Sequence, residues 1–92
     1  MERMTRQTPA GAYLVNPDDI KTREDGVSGR AGERLAAFER MQETVRAEQA
    51  DVSRRLEEMK TAGKTKTVQF RELMVKKLNN AFVLDLFDWY GL

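Results

Sequence analysis

The sequence predicts an all-α fold, and three observations carry that expectation. Residues 31–61 combine good helix formers with a heptad of apolar and Gln positions. Residues 81–92 (AFVLDLFDWYGL) hold nine apolar or aromatic residues, which a helix would display on more than one side. Residues 1–30 are polar and glycine-rich, with no sustained periodicity. Together they predict one long helix at about 31–61 packed by two short C-terminal helices at about 68–78 and 81–90. A flexible N-terminal arm over residues 1–30 is expected to carry a short helix at about 17–24. Residues 31–92 form the predicted helical domain.

In the N-terminal arm, Pro9 and Gly11 interrupt a polar tail, and residues 12–15 form a small apolar island. Asn16-Pro17-Asp18-Asp19 then reads as a helix start. Asn16 can cap, Pro17 suits the first helical position, and the two Asp complement the positive helix end. Lys21 and Arg23 fall near the other end and Gly26 can terminate it. Gly26, Gly29 and Gly32 make a hinge of the stretch that follows.

Within the long helix, Phe38, Val45, Val52 and Met59 recur every seven residues. Leu35, Gln42, Gln49 and Leu56 recur three residues ahead of them. Such a seam suits either a coiled coil between chains or a spine on which the C-terminal helices fold. The two central Gln weaken an isolated dimer, which favours the spine with a second interface above it. Gly63 suits the position just past the helix end.

Residues 65–70 permit a short strand, pairing with residues 12–15, or a helix that Thr67 caps from Val68 onward. The helix is preferred because an isolated strand pair is weak. From there the angles matter. On one straight helix Phe70, Leu73, Met74, Val75 and Leu78 would centre about 180° from the aromatic cluster that follows, at 100° per residue. A break at Asn79-Asn80 resolves the conflict, with Asn80 as the cap of a final helix. The competing solution is an unbroken helix covered on both sides in an oligomer.

Composition excludes several chemistries. The chain has 92 residues, a net charge of +1, no Cys and no His. Disulfides, thiol nucleophiles and the common zinc sites are therefore absent. Ser28 and Ser53 are the sole serines and have no His to activate them. Gly63-Lys64-Thr65 resembles the end of a phosphate-binding loop, but the first Gly of that motif falls on Glu58, inside a helix. Asp85 and Asp88 share a helical face without further oxygen ligands in their segment and read as a solubilising edge. Asp18-Asp19 and Glu57-Glu58 read as helix electrostatics. The expectation is a non-enzymatic protein with no cofactor and no metal. No signal-like segment opens the sequence and no stretch is long enough to span a bilayer, so the protein reads as cytoplasmic, with membrane attachment disfavoured.

Two surfaces remain as candidates. Phe82, Leu86, Phe87, Trp89 and Tyr90 form an apolar surface expected to dock on a protein partner or on a second copy, since Trp and Tyr are frequent interface anchors. Residues 60–77 hold six basic residues against Glu72 alone. Lys64, Lys66, Arg71, Lys76 and Lys77 are the candidate contacts to an anion, to nucleic acid or to an acidic protein face. Docking through the C-terminal helix is the leading reading, and a nucleic-acid-associated accessory role is the runner-up.

Overall fold

The computed structural model describes residues 2–92. Among them the chain forms four short strands and two α-helices, and it is 63% helical. This corrects the all-α expectation. It divides into two compact units, Met1–Glu39 and Arg40–Leu92.

The first unit contains two antiparallel hairpins. Strand β1 (Thr5–Gln7) pairs with β2 (Tyr13–Val15), with Arg6 opposite Leu14. The connection closes where the Thr8 amide donates to the Ala12 carbonyl at 2.8 Å, with Gly11 at a φ of 91°. Positive φ is a conformation glycine adopts without steric cost. The apolar island at 12–15 is thus a strand, paired with residues of the expected tail and not with residues 65–70.

A single 3-10 turn (Pro17–Asp19) follows, and then strand β3 (Lys21–Arg23) pairs with β4 (Gly26–Ser28). The helix expected at about 17–24 is therefore replaced by a turn and a strand; among the described residues no α-helix precedes Arg30. The helix-start signals at Asn16-Pro17 do produce one helical turn. Its carboxylate Asp19 then turns away from the helix path. It is 3% exposed and accepts a hydrogen bond from the Arg30 Nε at 2.9 Å. That bond, with the charge pairing, raises the Arg30 guanidinium above its ordinary pKa. A buried carboxylate needs such a partner, and the one available lies eleven residues on, beyond β4.

Gly29 makes the fold-back possible. Its φ is +116°, and a Cβ there would lie 2.6 Å from the Asp19 carbonyl oxygen. Gly29 is thus a point of close backbone approach and not a hinge. Further along, Arg34 donates to the Glu2 carbonyl at 2.8 Å.

Helix α1 (Arg30–Thr61) contains the unit boundary. Helix α2 (Val68–Trp89) is unbroken through Asn79 and Asn80, which corrects the expected pair of short helices. In the second unit the two helices run antiparallel. Gln42 donates to the Leu92 carbonyl at 2.7 Å, Arg46 meets Asp88 at 3.4 Å, and Gln49 donates to the Lys77 carbonyl at 2.9 Å. Thr67 caps α2, its hydroxyl accepting from the Phe70 amide at 3.1 Å. Gly63, at a φ of 71°, closes the end of α1.

The core of this unit is Val52, Leu56 and Phe87, with Leu56 only 1% exposed. The heptad residues Gln42, Val45, Gln49, Val52, Leu56 and Met59 are all buried or half-buried. On α2 the matching row is Phe70, Leu73, Lys77, Asn80, Leu84 and Phe87, spaced alternately three and four apart and likewise buried or half-buried. This row explains the missing break. Asn80 does not cap a new helix; it is 9% exposed and continues the row that faces α1.

Candidate functional site

The row on the opposite side of α2 is the most unusual surface of the second unit. Val68, Val75, Phe82 and Trp89 stand seven residues apart and are 61%, 57%, 65% and 85% exposed. Leu78 lies between two of them and is 65% exposed. Seven residues are nearly two turns of helix, so these side chains line one stripe. The stripe is offset from the row facing α1 by five residues, or about 140° beyond one full turn at 100° per residue, which sets the two on opposing sides. At ~1.5 Å rise per residue the helix is about 33 Å long.

Of the five residues expected to form an apolar interface, the structure brings together only some. Phe82 and Trp89 lie on the outer stripe, with Leu86 exposed beside it. Tyr90 is exposed just past the helix, where the chain turns at Gly91. Phe87 belongs to the seam with α1 and is 8% exposed. Sequence reasoning missed Val68, Val75 and Leu78 as members of this surface. The signal was present in the seven-residue recurrence of positions 68, 75, 82 and 89. A helix break assumed at Asn79-Asn80 severed that recurrence.

The five basic candidates do not converge. Lys64 and Lys66 lie in the turn between the helices and Arg71 on the first turns of α2, all exposed. Lys64 shares a shallow cleft with Arg55 and Glu58, so its surroundings are of mixed charge. Lys76 is paired with Glu48 of α1. Lys77 is half-buried on the inner row, where its carbonyl accepts from Gln49.

Ion pairs on α1 decorate the solvent side. Arg54 donates to Asp51 and to Glu58, each at 2.7 Å. The hydrogen bond from Arg54, with the charges of Arg55 and Lys76 also acting, holds the Asp51 carboxyl below its usual pKa.

In the first unit, Val15, Leu35 and Phe38 share a cleft of about 650 Å³ with Met4 and the stems of Arg3 and Arg34. Among the described residues no group of three or more Asp or Glu could hold a metal ion. No helix among them is long and apolar enough to cross a membrane.

Comparison with protein-family models, with known proteins and with solved structures finds no match to this chain.

Proposed function

We propose that this protein is a non-enzymatic interaction module that docks through the outer stripe of α2. The observation that carries the reading is the exposed heptad row of Val68, Val75, Phe82 and Trp89, with Leu78 between them. An apolar row at coiled-coil spacing matches the surface of another helix. Covering each of these side chains contributes about 1.5–3 kcal/mol, enough in sum to outweigh part of the cost of association. The reading implies a cytoplasmic protein that works by binding another protein.

The nucleic-acid reading has less support. Lys76 is engaged with Glu48 and Lys77 is half-buried, so Lys64, Lys66 and Arg71 are the exposed cations of the five. Few phosphate contacts give weak binding, because little counterion is released. A gel shift at low salt is expected to show no retained complex.

A photo-reactive residue tests the docking reading inside the expressing cell. Benzoylphenylalanine introduced by Phe82→benzoylphenylalanine is expected to give a discrete covalent adduct with a protein. The same group placed on the solvent side of α1 at Glu43 is expected to give none. Absence of adducts from positions 75, 78 and 82 alike would remove the reading.

A further inference from the structure

The two halves of α2 carry opposite charge, and that asymmetry selects an occupant for the stripe. The first half holds Arg71, Lys76 and Lys77 against Glu72; the second holds Asp85 and Asp88 and no basic residue. Among the described residues neither Arg71 nor Asp85 has an ion-pair partner, and both are exposed. They also occupy the stripe itself. Arg71, Leu78 and Asp85 recur every seven residues, three positions after Val68, Val75 and Phe82. The outer row is therefore a heptad seam whose polar members are one cation near its start and one anion near its end.

We infer that the occupant is a second copy of this chain, its α2 lying antiparallel across the first. The inference rests on the reading of the α2 stripe as a docking surface and names its partner. A parallel pair would set Arg71 beside Arg71 and Asp85 beside Asp85, which is repulsive at both ends. An antiparallel pair reverses this. In the register that overlaps the stripe, Arg71 lies level with Trp89 of the second copy, Val75 with Asp85, and Leu78 with Phe82. Every apolar residue then meets an apolar neighbour in its own or the adjacent layer. Arg71 packs over the face of the opposing Trp89, a favourable cation–π arrangement. Its guanidinium reaches the opposing Asp85 one layer further along, so both unpaired charges are matched by one two-fold operation. Because the contact is isologous it closes at two copies and leaves no free seam.

Three measurements on the full-length chain test this. Sedimentation equilibrium is expected to show a reversible dimer. Phe82→Glu should raise its dissociation constant roughly 30-fold or more, as for an interface anchor, with helix content by circular dichroism unchanged. A strict monomer at every concentration, or a dimer indifferent to Phe82→Glu, would overturn the second copy as occupant. The docking reading would then stand or fall separately, on whether the photo-adduct contains a different protein. Arg71→Glu and Asp85→Arg should each weaken the dimer about 10-fold, and the double variant should restore it. Failure of that rescue overturns the charge pairing. A spin label attached through Val68→Cys, unique because the chain has no other Cys, reads the orientation. The two labels are expected roughly 36 Å apart at 1.5 Å per residue, whereas adjacent labels would mean a parallel pair.

Discussion

The two long sides of α2 have the same heptad spacing and opposite character. The side facing α1 is interrupted at its centre by Lys77 and Asn80, yet it is the side that is buried. The outer side carries Val75, Leu78 and Phe82 in the same central turns, yet it is exposed. Apolar content alone therefore did not decide which side was covered. A six-residue turn ties α2 to α1, so the inner seam forms at high effective concentration and tolerates a polar centre. A contact between separate chains has no such tether and must be carried by its side chains. The richer stripe is on the side where association has to be won from solution.

Truncating one aromatic on each side gives the sharpest contrast. Phe87→Ala opens a cavity in the seam between α1 and α2, where Phe87 is 8% exposed, and is expected to cost about 3–5 kcal/mol of unfolding free energy, measured by urea denaturation followed by circular dichroism. An effect below 1 kcal/mol would mean that the two helices do not share a close-packed core. Next in size is the polar centre. The Asn80 Nδ2 and Gln49 Oε1 atoms are buried without a hydrogen-bond partner among the described residues. Replacing such a group by an apolar one removes a desolvation cost of about 1–3 kcal/mol. Asn80→Leu should therefore raise the urea midpoint; a lowered midpoint would show that Asn80 finds a partner in solution.

The cap gives a smaller effect. Thr67→Ala removes the acceptor for the Phe70 amide and should cost about 1 kcal/mol. Phe82→Ala, studied well below the dimer dissociation constant, should change stability less than any of these, because its side chain is 65% exposed. Loss of stability comparable to Phe87→Ala would place Phe82 in a core. Acid gives the smallest effect. The lowered pKa of Asp51 means that its pairing with Arg54 is fully present above the ordinary carboxylate pKa. That contribution is lost as pH falls through the lowered value. Asp51→Asn should flatten this part of the acid limb of stability. The group is exposed enough for solvent and salt to screen it.

The helices were legible where the heptad was unbroken. Residues 31–61 supply four repeats, and the observed helix is Arg30–Thr61. The inner row of α2 was harder to read, because Lys77 and Asn80 stand where apolar residues would complete it. Their polarity made Asn79-Asn80 look like an end, and the aromatic cluster beyond looked like a separate helix. The two hairpins were nearly silent in pattern. Strands of three residues are too short to show alternation, and Lys21–Arg23 carries two charges. Gly26, which reads as a helix end after the helix-start residues at Asn16-Pro17, instead opens β4 after a two-residue turn at Glu24-Asp25. The partner of Asp19 could not be read at all, because Arg30 reaches it only after two strands have doubled the chain back.

The close approach at Gly29 has a consequence for how this chain can vary. Any side chain there would demand both a disfavoured φ and displacement of the Asp19–Ile20 backbone, which lies within 3 Å of the added carbon. Gly63 and Gly91 also have positive φ but face open space, so Asn is a tolerable replacement at either. In a saturation library selected for soluble folded protein, position 29 should return glycine alone. Positions 63 and 91 should return glycine with asparagine.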